Sequence, residues 1–238
     1  MTVAMIQARM GSSRLPGKVL LDAAGKPFLR HMVERVTHAR TIHSIVIVTS
    51  TLAQDDPIAD LAKLIGVEVF RGSETDVLDR YYRAAVEVGA DRIVRLTADC
   101  PLIDPSIVDQ IVNLSLETDY ALVTNRHPLT FPDGMDVDSI PFSWLEYASR
   151  RASTPHQREH VIPFFWQAGL PVYNVECAPN LFRTYRWTVD YPEDAILVKK
   201  IFEGLYSDDN PVFSMEDILR FLEQNPGLNS INAMHLPS

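Results

Sequence analysis

The sequence has 238 residues, 46% hydrophobic and 22% charged, so the chain can bury a sizeable core without metal or disulfide support. Its net charge of −9 argues against broad binding to nucleic acids or anionic membranes, which need a cationic protein face. It has two cysteines and shows neither a signal-peptide pattern nor an apolar run long enough for a membrane span, so we expect a cytoplasmic protein.

Apolar runs and helical patterns alternate through the first half of the chain. The predicted strands cover residues 3–8, 44–49, 67–70, 92–97 and 120–124, and the helices 27–39, 55–64, 75–88 and a segment opening at 104–105. This alternation predicts an α/β fold in which helices cover a mostly parallel sheet. Because ligands bind beyond the carboxyl ends of such strands, the loops after Ala8, Phe70 and Thr97 are the candidates for chemistry.

The pattern is less regular after Asn125. Helices are predicted near residues 142–151, 159–167, 193–203 and 215–224, and short strands at 172–175 and 186–189. The sequence contains no internal repeat and no linker long enough to separate domains. We therefore expect a single domain over residues 1–238, with a regular α/β part over about 1–125 and an inserted or appended substrate-binding part over about 126–190.

The segment from Ile6 to Lys18, IQARMGSSRLPGK, combines glycines, hydroxyl side chains and cations. The first 21 residues hold three cations and no carboxylate; the cations are Arg9, Arg14 and Lys18. Phosphate oxygens favour such concave arrangements of N–H groups and positive charge, so the segment predicts a phosphate-binding loop. It matches neither the Walker pattern, because Val19 follows the lysine, nor the dinucleotide fingerprint. Chance clustering on a solvated surface is the alternative.

Two aspartates each follow a short apolar strand. Asp99 lies just past the strand at 92–97, where a carboxylate near phosphates is suited to holding Mg²⁺. The alternative for Asp99 is capping of the turn before Pro101. Asp190 follows the strand predicted at 186–189, and its alternative is N-capping of the helix that opens at Pro192.

Five further motifs accompany the N-terminal loop in a fixed order. They are GSETDVLDR (72–80), RLTADCPLID (95–104), FPDGMD (131–136), REHV (158–161) and TVDYPED (188–194). Together they resemble the CTP-dependent sugar-acid cytidylyltransferases, especially the branch named for spore-coat polysaccharide biosynthesis and, beyond it, the 3-deoxy-manno-octulosonate and acylneuraminate enzymes. The resemblance covers residues 3 to about 200. It implies a three-layer α/β/α, Rossmann-like nucleotide-diphospho-sugar transferase fold and a homodimer formed mostly through residues 125–175.

The resemblance also implies the roles of the N-terminal loop and of both aspartates. Arg9, Arg14 and Lys18 would bind the triphosphate and act in catalysis, and Asp99 and Asp190 would act in catalysis by holding Mg²⁺. The other residues expected to bind the nucleotide are Ala8, Gly11, Ser12, Ser13, Arg71, Asp76, Thr97 and Ala98. For Asp79 and Arg80, in the segment expected to contact cytosine and ribose, the strong alternative is the interpretation as exposed helical charges.

Candidates for the acceptor side come from the irregular half. Asp133, Gly134 and Asp136 lie in a polar loop expected to line the cleft. Arg158 is a candidate partner for a substrate carboxylate, with an ordinary helix-surface arginine as the alternative. His160 is a candidate acceptor contact, with a packed or exposed histidine as the alternative.

The expected reaction is transfer of CMP from CTP to a sugar or sugar acid, with release of pyrophosphate, for cell-surface or spore-coat polysaccharide. One rival is a glycosyltransferase that uses a nucleotide sugar, because residues 136–138 spell Asp-Val-Asp. A second rival is a non-catalytic nucleotide-binding module. Production of pyrophosphate distinguishes the expected reaction from both rivals.

Overall fold

The computed structural model describes residues 1–207 and 209–237. The strands are β1 (Thr2–Gln7), β2 (Asp22–Ala23), β3 (Lys26–Pro27), β4 (Ser44–Ser50), β5 (Glu68–Gly72), β6 (Arg92–Thr97), β7 (Leu122–Thr124), β8 (Asp138–Pro141) and β9 (Val172–Asn174). The helices are α1 (Phe28–Val36), α2 (Asp56–Leu64), α3 (Val77–Glu87), α4 (Pro105–Leu116), α5 (Phe142–Arg151), α6 (Pro155–His160), α7 (Pro163–Gln167), α8 (Pro192–Leu205), α9 (Met215–Gln224) and α10 (Pro226–Asn229).

A seven-stranded sheet in the order β5-β4-β1-β6-β8-β7-β9 forms the centre of the fold. Strand β8 runs antiparallel to its neighbours β6 and β7, and the other pairings in this sheet are parallel. Strands β2 and β3 form a separate short hairpin. The mostly parallel sheet expected from the sequence is therefore confirmed.

Helices cover both faces of the sheet. Successive residues of β1 contribute to opposite faces: Ala4 and Ile6 pack with α1, α2, α4, α8 and α9, whereas Val3 and Met5 pack with α3, α5 and α7. All four side chains are completely buried. Burial of a large apolar side chain contributes about 1.5–3 kcal/mol, which explains why strands buried on both faces are continuous apolar runs. The three-layer α/β/α architecture is confirmed.

The structure differs from the sequence prediction in the second half of the chain. Residues 186–189 do not form a strand: one isolated bridge joins Arg186 to Asp133, and the N–H groups of Trp187 and Thr188 donate to the Asp133 carbonyl. The helix predicted over 159–167 is two short helices, α6 and α7, because Val161 between them has φ +67° and Pro163 begins a new helix. Strand β8 and the β2–β3 hairpin were not predicted.

Within residues 1–207 and 209–237, no helix has both the length and the apolar character needed to cross a membrane.

Candidate active site

The candidate site lies at the carboxyl ends of the neighbouring strands β1 and β6. Gln7 and Thr97, the last residues of these strands, are register partners, so the loops that follow them leave the sheet side by side. Between the loops lies a cavity of about 470 Å³, a volume typical of small-molecule sites. Its walls are Gln7, Arg9, Ser12, Ser13, Arg14, Lys18, Val19, Thr97, Ala98, Asp99, Arg126, His160 and Asp190.

Backbone hydrogen bonds fix the shape of the loop after β1, which the sequence predicts to bind phosphate. The N–H groups of Ser12 and Gly17 both donate to the carbonyl of Met10, each over 3.0 Å, and Gly17 adopts φ +71°, which glycine accommodates without strain. The N–H of Met10 donates over 2.7 Å to the carboxylate of Asp55, which is fully buried. The loop therefore has a defined shape that directs its cations into the cavity.

Lys18 connects the two predicted metal ligands. Its Nζ lies 3.2 Å from Oδ2 of Asp99 and 2.8 Å from Oδ1 of Asp190, and its side chain is only 10% exposed. Burial opposes the charge of Lys18, but the two carboxylates outweigh burial and raise the pKa of the ammonium. Burial likewise acts to raise the pKa of Asp99, but Lys18 and the Thr97 hydroxyl bring it below its ordinary value. Lys18 and Asp99 are therefore both charged at neutral pH.

Backbone contacts explain how residues so far apart in sequence meet. The N–H of Val189 donates to the carbonyl of Asp99 over 2.7 Å, and the hydroxyl of Thr188 donates to the same carbonyl over 3.3 Å. The segment before α8 is thus bonded directly to the turn after β6. The apolar run at 186–189 that sequence patterning interprets as a strand is instead the support of this turn.

The capping alternatives for the two aspartates do not describe the structure. In the turn after β6, the N–H of Cys100 donates to the carbonyl of Thr97 and not to the Asp99 side chain. The N-cap of α8 is Tyr191, and the carboxylate of Asp194 accepts the backbone N–H groups at this end of the helix. The Asp99 and Asp190 carboxylates therefore face the cavity cations.

Asp190 is surrounded by cations. Besides Lys18 on Oδ1, its Oδ2 contacts Nη2 of Arg14 and Nη2 of Arg186, each at 3.1 Å. Arg14 also donates to the Tyr191 hydroxyl, the main contact that raises the pKa of its guanidinium. The Arg14 side chain is 50% exposed, whereas that of Arg186 is 10% exposed. Arg14 is thus the contact of Asp190 that lies nearest to solvent.

The two carboxylates suit a hard divalent cation. In the described part of the chain no group of three or more His, Cys, Asp or Glu side chains is arranged to hold a metal. Mg²⁺ commonly uses one or two carboxylates together with water and substrate phosphates. Asp99 and Asp190, which already share one cationic group, fit this requirement.

Several residues expected to bind the nucleotide lie outside the cavity walls. Ala8 is buried, and Gly11 packs against Gln54. Arg71 pairs with Asp56 at 2.6 Å and donates to two backbone carbonyls beside β4. Asp76 caps α3, and its second oxygen accepts from Nε of Arg158 over 2.6 Å.

Arg158, a predicted substrate contact, forms its hydrogen bonds with other parts of the protein. Its Nη1 donates to the carbonyls of Ser149 and Ala152, and its Nε to Asp76. These contacts join α3, α5 and α6, so Arg158 has internal partners, and its substrate role stays a prediction. The interpretation of Arg80 as an exposed charge is wrong: its side chain is almost completely buried, and Nη1 donates to the carbonyl of Ser73 over 2.7 Å.

The loop at 131–136 packs directly on the segment that carries Asp190. Gly134 has φ +113°, and a Cβ there would lie 2.5 Å from the backbone nitrogen of Thr188. Asp133 contacts Nη1 of Arg186 at 2.6 Å, yet burial and the charge of Asp136 raise its pKa to about 7. Asp136 contacts Nε of Arg126 at 2.8 Å, and burial raises its pKa as well.

A second cavity of about 250 Å³ adjoins the first, because Arg126 and His160 belong to the walls of both. Its other walls are Arg95, Leu129, Ile162, Pro163 and Trp166. Arg126 was missed from the sequence although it follows β7, where the carboxyl-end rule would have found it. Gln7 was missed because the predicted strand extends to residue 8, whereas β1 ends at Gln7. Arg186 lies at the start of a predicted strand, not at its carboxyl end, and carries no local signal.

A cationic loop facing two aspartates at the carboxyl edge of a mostly parallel sheet defines a nucleotidyltransferase type of site. Comparisons with known proteins agree. The sequence model of the cytidylyltransferase family matches residues 3–225. The chain is 31% identical to the spore coat polysaccharide biosynthesis protein SpsF of Bacillus subtilis, over 93% of this chain and 94% of that protein.

Two further relatives extend this result. The 3-deoxy-manno-octulosonate cytidylyltransferase of Trichlorobacter lovleyi is 40% identical, over 69% of this chain and 65% of that protein. A solved cytidylyltransferase from Leptospira borgpetersenii is 35% identical and superimposes with a TM-score of 0.90 over 95% of each chain. The chain belongs to the cytidylyltransferase family, as the sequence motifs predicted.

Proposed function

We propose that this protein transfers CMP from CTP to a hydroxyl group of a sugar or sugar acid and releases pyrophosphate. The observation that carries the proposal is the contact of Lys18 with both Asp99 and Asp190 in a cavity lined by Arg9 and Arg14. The arrangement offers cations for a polyphosphate and carboxylates for a divalent ion in one place. The names of the Bacillus and Trichlorobacter relatives support a sugar-acid acceptor and a role in surface or spore-coat polysaccharide.

In this reaction the acceptor hydroxyl loses its proton to water and its oxygen bonds to the α-phosphorus. The bond from that phosphorus to the oxygen bridging to the β-phosphate breaks, and pyrophosphate leaves with the bridging oxygen. Catalysis of phosphoryl chemistry depends mainly on positioning and on stabilisation of charge. Arg9, Arg14 and Lys18 would hold the triphosphate and neutralise the departing pyrophosphate. Mg²⁺ held by Asp99 and Asp190 would supply Lewis-acid stabilisation at the α-phosphate.

We place the acceptor in the second cavity, beyond Arg126 and His160. The two cavities share these side chains, so a group bound in one lies next to a phosphate bound in the other. The ring of Trp166 and the aliphatic side chains of Leu129 and Ile162 offer an apolar wall, and Arg126 offers hydrogen-bond donors. We further propose that residues 1–125 bind the nucleotide in the cytoplasm and that residues 126–190 bind the acceptor and form a homodimer contact.

The glycosyltransferase alternative would use the Asp-Val-Asp sequence at 136–138 as a metal site. Asp138 is 1% exposed, and Nη1 of Arg95 and the Thr124 hydroxyl contact its carboxylate at 2.9 and 2.7 Å. Asp136 contacts Arg126. Both carboxylates thus have internal partners, so these contacts favour the nucleotidyltransferase.

A pyrophosphate-release screen tests the proposal. The four nucleoside triphosphates are each combined with a panel of keto-sugar acids and sugar phosphates, with Mg²⁺ or with EDTA. We expect release only with CTP, a suitable acceptor and Mg²⁺, and release that is slower by about 100-fold or more from Asp99→Asn. Transfer of a sugar without pyrophosphate would establish the glycosyltransferase instead, and CTP binding without turnover on any acceptor would establish the non-catalytic module.

A further inference from the structure

Arg186 is a buried arginine that the proposed reaction does not use. Its guanidinium contacts three carboxylates, one in the loop at 131–136 and two in the segment that follows Arg186. Nη1 lies 2.6 Å from Asp133, Nη2 lies 3.1 Å from Oδ2 of Asp190, and Nε lies 3.1 Å from Oδ1 of Asp194. The planar fork of arginine makes such a set of contacts possible, whereas the compact ammonium of lysine cannot reach all three groups.

Asp194 extends this arrangement to the backbone of Asp190. It is completely buried, and its Oδ2 accepts the N–H groups of Asp190 and Tyr191, each over 3.0 Å. Arg186 therefore fixes the side chain of Asp190 directly and its backbone through Asp194. Buried groups thus hold the backbone of Asp190 and, together with the half-exposed Arg14, its Oδ2.

The C-terminal segment completes the network. Asn232, 1% exposed, donates from Nδ2 to Oδ1 of Asp194 and to the backbone carbonyl of Arg186, each over 2.8 Å. A residue that follows α10 thus supports a carboxylate in the candidate active site. Because every buried polar atom in such a network needs its partner, loss of one contact disturbs the others.

We propose that Arg186 is a positioning residue for Asp190. It holds Oδ2, so that Oδ1 is presented to the cavity, where Lys18 now contacts it and where a divalent ion would bind. This inference rests on the proposed function, which assigns Asp190 to the metal. Partners that orient metal ligands typically change metal affinity or activity about 10- to 100-fold when they are mutated.

The decisive variant is Arg186→Lys, because it keeps the positive charge and loses the fork. Charge-based attraction between Asp190 and a metal is then unchanged, so any effect reports on positioning. We expect kcat to fall about 10- to 100-fold and Mn²⁺ affinity, measured by electron paramagnetic resonance with CTP and no acceptor, to fall about 10-fold. KM for CTP should stay within about threefold, since the cationic loop is intact.

A second variant keeps the test valid if Arg186→Lys fails to fold. Asn232→Ala removes two hydrogen bonds from the network without changing its charge, and Asn229→Ala is the matched control. Asn229 is half-buried and donates one hydrogen bond to the carbonyl of Thr184, outside the network. We expect weaker Mn²⁺ binding and lower kcat for Asn232→Ala and wild-type values for Asn229→Ala.

Wild-type Mn²⁺ affinity and kcat in Arg186→Lys would overturn the inference, and so would wild-type values in Asn232→Ala if the first variant is unfolded. A rise in KM for CTP with unchanged Mn²⁺ affinity would also overturn it, because Arg186 would then be a phosphate ligand. If the wild type releases no pyrophosphate, the proposed function fails. The role of Arg186 in positioning Asp190 is then tested by Mn²⁺ binding alone. Weaker binding in Arg186→Lys and Asp190→Asn, but not in Asn229→Ala, would then support it.

Discussion

Nζ of Lys18 lies 2.8 Å from Oδ1 of Asp190, although the two residues are 172 positions apart in sequence. The same ammonium contacts Asp99. A lysine thus occupies the space between the two carboxylates assigned to the metal, so a divalent ion that binds there must share them with it. The stability of the protein and its response to metal are therefore linked at this point.

We expect Lys18→Met to destabilise the metal-free protein and to increase the stabilisation by Mg²⁺. The variant leaves two partly buried carboxylates without their shared cation, which should cost about 1–3 kcal/mol given the partial exposure of Asp99. An ion that binds only the folded state then offsets this loss. Melting temperatures with EDTA and with Mg²⁺ measure both effects, and Lys63→Met, on the exposed side of α2, is the control. Equal Mg²⁺-induced shifts in wild type and Lys18→Met would contradict the linkage.

Asp99→Asn should abolish most pyrophosphate release while leaving CTP binding nearly unchanged. The substitution preserves the shape of the side chain and removes its charge, so we expect kcat to fall about 100-fold or more. Binding of CTP, followed by calorimetry, should persist because the cationic loop is retained. Asp60→Asn, an exposed aspartate of α2, should keep full activity. Undiminished turnover by Asp99→Asn with Mg²⁺ present would remove this residue from the mechanism.

Gly134→Ala should destabilise the fold by about 2–4 kcal/mol, because a β-carbon would meet the backbone of Trp187 and Thr188 at a positive φ. Urea unfolding followed by tryptophan fluorescence measures the change. Gly227→Ala is the matched control: a β-carbon at that position meets nothing within 4 Å. Comparable midpoints for the two variants would show that the loop at 131–136 can move away from the Asp190 segment.

Asp133 should make the stability of the metal-free protein depend on pH. Its folded pKa of about 7 lies above the ordinary value of 3.8, because burial and the nearby carboxylates outweigh Arg186. The folded state therefore binds more protons than the unfolded state between these values, and the free energy of unfolding falls as pH rises through this window.

Asp133→Asn removes this titration. The free energy of unfolding of the variant, relative to that of the wild type, should therefore be about 1–3 kcal/mol higher at about pH 8 than at about pH 5. Urea unfolding in EDTA at both pH values measures the difference. Any constant cost of the weakened Arg186 contact cancels in this comparison. A stability difference that does not change with pH, or changes in the opposite direction, would show that Asp133 is ionised throughout.

The first half of the fold was predictable because its strands are buried on both faces and its helices have clear ends. Strand β6 was predicted at its observed bounds, and Gly66 and Gly89 mark helix ends with positive φ. Strand β8 was missed because it contains Asp138 and Ser139, which hydropathy assigns to the surface. Both are buried, and the Asp138 carboxylate contacts Arg95. A strand whose buried carboxylate is paired inside the sheet has no apolar run by which the sequence could reveal it.

The site was predictable where its chemistry is local in sequence. The loop at 6–18 is one continuous segment, so its glycines and cations are enough to predict a phosphate site. The meeting of Asp99 with Asp190 depends on hydrogen bonds across the sheet edge, and the sequence motifs supplied it only through the family resemblance. The positions of Arg126 and Arg186 depend on tertiary contacts. No rule based on sequence spacing identifies Arg186 as a site residue.

Strand β8 has a consequence for how acceptor preference can change. It comes from the irregular half of the chain, yet it lies between β6 and β7 and forms the hydrogen-bonded neighbour of the strand that leads to Asp99. A chimaera that exchanges residues 126–190 would therefore also replace a central strand, and removal of that strand would leave β6 with an unpaired edge. With the acceptor in the second cavity, as we propose, side-chain substitutions there would change acceptor preference and keep the sheet intact, whereas exchange of the whole segment must also supply a strand that pairs with β6.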